Sequence, residues 1–393
     1  MLENPEQELI KSLFEKIYLN GNDPNEDRKA VNFSVNYMQN QQMRNNITLD
    51  MPSRVLWKIT GKCNCSCLHC WASLGGEPSY HDLMSVAEQL TEGKVLQTSL
   101  SGGEPFTNNY LFDIIKILKK NNMIVEIMSN GSLIDYDTAK KLSNYLNPDT
   151  DTVQISLDGS TEKIHDRQRN QSIFHDTIDG IKNLIKCGIK VRTLFVATPI
   201  NQDDLYNTYL LSTKLKATVF SFMPVFPFRR GEKFINQLNS LRFLEEILKC
   251  KEHEPYTETK IRAQVDQMFQ YLLATNYDFV DFTRYQKHSS LKYLPIECNS
   301  SMQIDAQGEA VPGPEWDKNK SAGNVYHKSL SEIWKQGENW NEFRQGRDLH
   351  KTKCATCKIY DICAGGNMKL AFDKYKTINS PDGTCMLGEN SYV

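Results

Sequence analysis

The sequence predicts an α/β protein: a partial (β/α)6 TIM-like barrel followed by a small Cys-rich C-terminal domain. Three observations carry that prediction. Between residues 54 and 225 short apolar runs alternate with amphipathic stretches about six times, the pattern of parallel strands joined by right-handed helical crossovers. Gly, Ser, Asn and Asp gather where those apolar runs end. Beyond residue 295 helical periodicity fades and Gly, Pro and Cys become frequent, as in a loop-rich unit pinned by metal.

The strands are expected at "RVLWKIT" from Arg54, "VLQTSLSGGE" (95–104), "MIVEIMSNG" (123–131), "DTVQISLDG" (151–159), "GIKVRTLFVAT" (188–198) and "ATVFSFMPV" (217–225). The helical period is expected in "HDLMSVAEQLTEG", "NNYLFDIIKILKKNN", "DYDTAKKLSNYLN", "HDTIDGIKNLIKCG" and "QDDLYNTYLLSTKL" between them. The chain then divides into an N-terminal helical and polar extension (1–50), the barrel (51–235), a linker and edge region (236–294) and the Cys-rich domain (295–393). The linker holds one helical piece, in "TETKIRAQVDQMFQYLLATN". Ligands of such a sheet belong at the C-terminal strand ends, and "GKCNCSCLHC", "SGGEP", "SNG" and "SLDG" stand at the first four in succession.

With 46 basic and 48 acidic residues, bulk charge does not hold the chain to a nucleic acid or to an anionic membrane. The N-terminal residues are acidic where a secretory signal is basic, and no apolar run reaches a membrane span of roughly 20 residues. A cytoplasmic protein is expected. There thiols stay reduced, so clustered cysteines point to metal or catalysis rather than disulfides.

Residues 61–71, "GKCNCSCLHCW", hold four of the eleven cysteines. Cys63, Cys67 and Cys70 form C-x3-C-x2-C in one loop, and Cys65 between them is expected to point away. Structural zinc takes four closed ligands, whereas three thiolates on four irons leave one iron open for a small molecule. This spacing, after the first strand of an alternating pattern, resembles the radical S-adenosylmethionine (SAM) superfamily, whose signature is C-x3-C-x-aromatic-C. His69 stands at the aromatic position.

That resemblance implies a [4Fe–4S] cluster on Cys63, Cys67 and Cys70, with SAM bound to its open iron. His69 would lie under the adenine. Gly102, Gly103 and Glu104 match the GGE motif, backbone for close approach and carboxylate for the methionine ammonium. Ser129, Asn130 and Ser156 would contact the methionyl or ribose part. Asp158 either shares that role or caps the next helix. Arg169, with Arg167 as the alternative, would take the SAM carboxylate, and Val196 to Thr198 would flank adenine or serve the core. The implied chemistry is reductive homolysis of SAM to a 5′-deoxyadenosyl radical, which takes a hydrogen atom from substrate.

Near the C-terminus "CATCKIYDICAGGN" and "DGTC" supply Cys354, Cys357, Cys363 and Cys385. With "CNSSMQIDAQGEAVPG" and "GNVYHKSLSEIWKQ" upstream, this stretch resembles the SPASM extension of radical SAM enzymes. Two expected cysteines are replaced, by Gly313 and Asn367. The resemblance therefore implies one auxiliary [4Fe–4S] cluster, fully ligated by Cys354, Cys357, Cys363 and Cys385, with four-thiolate zinc the rival. Cys298, left without its set, is either a buried apolar-like thiol or a catalytic hydrogen-atom donor. Cys65 is a spare thiol, and Cys187 and Cys250 carry no chemistry.

Enzymes of this type act chiefly on peptides. The expected substrate is a ribosomally made precursor peptide, crosslinked or epimerised, with a flavodoxin or ferredoxin as reductase. The first 50 residues are too short and too poor in helix for a leader-binding module, so a separate leader-binding protein would be needed. The alternative is a tetrapyrrole side chain in a haem-type pathway, for which Arg229, Arg230 and Lys233 of "PFRRGEK" would meet carboxylates. A non-enzymatic metal scaffold is the third class.

Overall fold

The computed structural model describes residues 48–72, 75–234, 237–263, 291–357, 360–383 and 385. The expected extension at 1–50 lies, but for its last residues, outside the described ones. All six expected strands form: β1 (Arg54–Lys58), β2 (Gln97–Ser101), β3 (Ile124–Ser129), β4 (Thr152–Ser156), β5 (Val191–Ala197) and β6 (Val219–Pro224). They pair parallel and in sequence order, as right-handed crossovers of this length require. The five expected helices follow as α1 (Tyr80–Glu92), α2 (Leu111–Lys120), α3 (Tyr136–Ser143), α5 (Phe174–Lys186) and α6 (Leu205–Lys214). A sixth, α4 (Glu162–Arg169), was not expected. Its "EKIHDRQR" has almost no apolar face, and what it buries is polar: His165, Gln168 and Arg169.

The local causes are ordinary ones. A capping box between Ser79 and Asp82 starts α1. Asp135 accepts from the Thr138 amide to start α3. Leu83, Val86, Ala87 and Leu90 on α1, and Leu111, Ile114, Ile115 and Leu118 on α2, put an apolar stripe on the sheet. The strands answer with alternate residues: Val55 and Trp57 of β1, Val125 and Ile127 of β3, and Val153 and Ile155 of β4 all join this core.

The intervening residues face the inside of the curved sheet, and there they are polar. Ser99 donates to Glu126 at 2.8 Å, and Arg192 donates to both Glu126 and Gln154. Register puts Ser99 beside Glu126 and Gln154 beside Arg192. This layer fills the middle of the barrel and leaves the C-terminal strand ends for a site.

The sheet has nine strands in the order β10-β9-β1-β2-β3-β4-β5-β6-β7. At one end stands β7 (Lys260–Ala263), parallel to β6 and reached through α7 (Ser240–His253). Residues 260–263 belong to the stretch expected as helix, which is corrected here: "KIRA" pairs with the open edge of β6, and pairing overrides its periodicity. Residues 264–276 of that stretch lie outside the described residues. At the other end β9 (Ser301–Ile304) adds parallel to β1 and β10 (Ala310–Val311) antiparallel to β9. Residues beyond 295 thus extend the barrel sheet. They also form α8 (Leu330–Gln336), α9 (Asn341–Gln345), α10 (Tyr360–Cys363) and α11 (Met368–Tyr375), and their β11 (Arg347–Asp348) makes a small ladder with β8 (Lys292–Tyr293), at the end of the expected linker. Among the described residues no helix is long and apolar enough to cross a membrane.

Candidate functional site

The cysteine loop follows β1 and is locked to the loop after β2 through backbone. Gly103 donates to Thr60 at 2.9 Å and Glu104 to Lys62 at 2.7 Å. A Cβ on Gly102 would stand 2.3 Å from the Thr60 carbonyl oxygen, and one on Gly103 2.0 Å from that of Lys62. The two glycines are therefore required by loop-on-loop packing, and Gly102, at φ +147°, by its backbone as well.

Within the loop, Cys65 does not turn away as expected. It sits between Cys63 and Cys67 and hydrogen-bonds to both thiols, because the chain coils too tightly for residue alternation to apply. Sharing its proton pushes the Cys65 thiol far up and draws those of Cys63 and Cys67 down. Cys70 packs on the same group.

Glu104 lies beneath this loop, 1% exposed. Its oxygens accept from Ser129 Oγ at 2.8 Å, the Asn130 amide at 2.7 Å and the Phe106 amide at 3.2 Å. Burial nonetheless raises its pKa to about 7. Asn130 ties the third strand end to the cysteine loop, donating to Asn64 at 2.7 Å and to Cys65 Sγ at 3.6 Å. Ser156 ends β4 half-buried.

A third group was only half legible. Asp158, fully buried, caps no helix. One oxygen accepts from the Val196 amide at 2.8 Å. The other lies 2.7 Å from an Arg169 nitrogen and 3.7 Å from His69 Nε2, charge contacts without hydrogen-bond alignment. Arg169 also donates to Cys67 Sγ at 3.6 Å, while Arg167 is exposed. The expected free guanidinium is thus the cation of a buried pair beside the cysteine loop. Burial holds the His69 pKa down against Asp158, and among the described residues its Nδ1 has no hydrogen-bond partner. Sequence reasoning missed Gln168 and Asn201, whose amides both donate to the Val196 carbonyl, at 3.1 and 3.0 Å. Thr198 donates to Gln168 at 2.8 Å.

Further along the chain, the fully buried Arg347 donates to the carbonyls of Ala364, Gly365, Gly366, Ile378 and Ser380 and to the Tyr293 hydroxyl. It thereby shapes the turn after Cys363. Cys354, Cys357, Cys363 and Cys385 lie near enough to raise one another's pKa values, after burial, at Cys354 and Cys363. Among the described residues no three metal-ligating side chains stand close enough together to hold a single metal ion, but four soft thiols within reach of one another's charge have the donor chemistry of an iron–sulfur cluster. Cys298 is fully buried in the main apolar core, which also holds Trp316, Phe343 and Met368, and burial drives its thiol pKa well up. Cys250 is buried and Cys187 half-buried. Arg229, Arg230 and Lys233 fall in a 3-10 segment after β6, Arg229 and Lys233 exposed.

Comparison with known proteins accords with this geometry. Residues 57–211 match the model of the radical SAM superfamily, and residues 298–358 that of the SPASM iron–sulfur cluster-binding domain. The mycofactocin maturase MftC of Mycolicibacterium smegmatis is 25% identical over 358 residues, 86% of this chain and 84% of that protein. The Fe-coproporphyrin III synthase of Methanosarcina barkeri is 26% identical over 367 residues, 85% of this chain and 87% of that one. The crystal structure of Streptococcus suis SuiB bound to its precursor peptide SuiA superposes with a TM-score of 0.68 at 19% identity, covering 96% of this chain and 86% of that one. The chain belongs to the radical SAM superfamily and carries a SPASM domain: it is an enzyme that works with a [4Fe–4S] cluster, SAM and an auxiliary iron–sulfur cluster.

Proposed function

We propose that the enzyme modifies a ribosomally made precursor peptide, forming a crosslink or inverting a residue. The observation that carries this reading is that likeness to the mycofactocin maturase runs through 86% of the chain, barrel and SPASM region together. The fold shared with SuiB, whose structure holds a precursor peptide, supports it.

In this reading Cys63, Cys67 and Cys70 hold the first cluster, and Cys354, Cys357, Cys363 and Cys385 hold one auxiliary [4Fe–4S] cluster with every iron ligated. When bound, the reduced cluster and SAM supply a 5′-deoxyadenosyl radical. The residues of the chain do the rest. Glu104 receives the methionine ammonium, with Ser129 and the Asn130 amide fixing its carboxylate. His69 and Val196 to Thr198 take the adenine side, and Ser156 the ribose side. Asp158 holds Arg169 against Cys67, which leaves little of Arg169 for the SAM carboxylate. Cys298 is a core thiol rather than a hydrogen-atom donor, since burial keeps substrate from it. A flavodoxin or ferredoxin supplies electrons, and a separate protein presents the leader.

Anaerobically reconstituted enzyme given SAM, dithionite and synthetic peptides encoded beside its gene should yield 5′-deoxyadenosine. A peptide should either lose two hydrogens or take up deuterium from D2O. A peptide set left unchanged by mass would sink the reading. The second reading, a tetrapyrrole side chain, is favoured by the 26% identity to the Fe-coproporphyrin III synthase. It predicts that a tetrapyrrole precursor, rather than a peptide, is turned over to Fe-coproporphyrin III in the same assay.

A further inference from the structure

Lys58 closes β1, and none of the chemistry described so far uses it. Its neighbours Trp57 and Ile59 join the core between sheet and helices, so alternation turns Lys58 to the inside of the barrel. It is 5% exposed. Among the described residues no hydrogen bond or ion pair reaches its ammonium, whose tip keeps a narrow access to solvent. Burying an ammonium costs several kcal/mol unless a partner repays it, and a lysine this buried is rarely left unpaired.

The charges that do act on it define a compartment. They are the carboxyls of Asp305 and Glu315, the Arg229 guanidinium and the Cys70 thiol. Trp57 registers with Ile304, so Asp305 stands beside Lys58 one step on. One Asp305 oxygen is already engaged by the amides of Gln307 and Glu309, each at 2.9 Å. It is a neighbour, not a partner. The charges that weigh most on Lys58 are thus those of the β9 edge, the loop after β6 and Cys70.

We propose that Lys58 anchors a carboxylate of the substrate in the barrel mouth, beside the cysteine loop and facing the β9 edge and the loop after β6. Resting on the peptide reading, this narrows the substrate to a segment with an acidic side chain or a free C-terminal carboxylate next to the reacting residue. A phosphate dianion is disfavoured, because Asp305 and Glu315 would repel its second charge. Burial lowers the Lys58 pKa to about 8, and an incoming carboxylate would hold the proton on.

The test uses reconstituted holoenzyme with SAM and a pool of N-acetylated tripeptides, each acidic member matched by its amide: Asp with Asn, Glu with Gln, free with amidated C-terminus. Equilibrium dialysis read by mass spectrometry should show the wild type preferring acidic members about tenfold. Lys58→Gln should abolish the preference and Lys58→Arg keep it. Lys58→Met repeats the test should Gln be poorly accommodated. An acidic preference that survives in Lys58→Gln, or wild type that prefers no acidic tripeptide and retains no coproporphyrin III through Lys58, overturns the proposal. Weaker SAM binding by Lys58→Gln without peptide assigns the ammonium to SAM and also overturns it. Retention of coproporphyrin III that depends on Lys58, with no acidic tripeptide retained, keeps the carboxylate subsite and rejects the peptide reading. Modification of a precursor peptide that is indifferent to Lys58 does the reverse.

Discussion

Glu104 sits where three hydrogen-bond donors and complete burial pull in opposite directions. Burial wins, since the pKa is about 7 rather than the ordinary 4.5. Below that pH the buried carboxyl carries a proton, and an ammonium ligand must displace it. If Glu104 receives the SAM ammonium, SAM binding should tighten as pH rises from 6 and level off above 7.5, by titration calorimetry on reconstituted enzyme. Glu104→Gln should flatten the profile and weaken binding about tenfold to a hundredfold, the loss of one charge-assisted hydrogen bond of roughly 1.5–3 kcal/mol. Asp158 poses the matching question for a cation. Its pair with Arg169 is wholly buried, and breaking such a pair costs about 3–5 kcal/mol because the remaining charge is stranded. Asp158→Asn should therefore lower the melting temperature. It should also leave an uncompensated guanidinium 3.6 Å from Cys67 Sγ, moving the first cluster to a more positive midpoint. Arg169→Gln, which removes that charge, should move it the other way. An EPR-monitored redox titration reads both, and equal midpoints in the two variants would contradict the electrostatic account.

The loops after β1 and β2 act as one element, because each supplies backbone partners to the other. Gly103→Ala tests this: a methyl 2.0 Å from the Lys62 oxygen cannot be absorbed by a side-chain rotation, so backbone must move. Overpacking of this kind costs about 1–3 kcal/mol. The variant should lose melting temperature and bind less iron at the first cluster, whereas stability lost without iron would confine the glycine to folding. These loops also mark how far the chain could be read unaided. The six strands and their order were legible because apolar alternation is a local property. The Cys63, Cys67 and Cys70 spacing and Glu104 were legible because turn residues and chemistry coincide there. What was hidden depends on approach in space. Residues 260–263 carry helical periodicity yet pair with β6. Cys65 faces its neighbours because the loop coils. Asp158 meets Arg169 only because α4, a helix without an apolar face, lays its polar side on the end of β4. No spacing rule announces such a meeting.

At the scale of the molecule, the sheet joins the two cysteine groups, since β9 and β10 are at once part of the SPASM region and extensions of β1. Cys298 opens that connection from within the main apolar core. Arg347 anchors its far end by drawing carbonyls from 364–366, 378 and 380 around one guanidinium. A single auxiliary cluster on the four distal cysteines makes the iron count decisive. Anaerobically reconstituted wild type should hold about eight irons per chain, four for each cluster. Cys354→Ser or Cys363→Ser should halve that while leaving the first cluster's SAM-perturbed EPR signal in place. Cys67→Ser should instead remove that signal and leave the auxiliary irons. Cys298→Ser should keep all of them, because its thiol is fully buried in the main apolar core and the change costs packing rather than ligation. About twelve irons would restore a second auxiliary cluster and make Cys298 a ligand. About four irons with stoichiometric zinc would make the distal thiolates a structural zinc site instead of an auxiliary cluster.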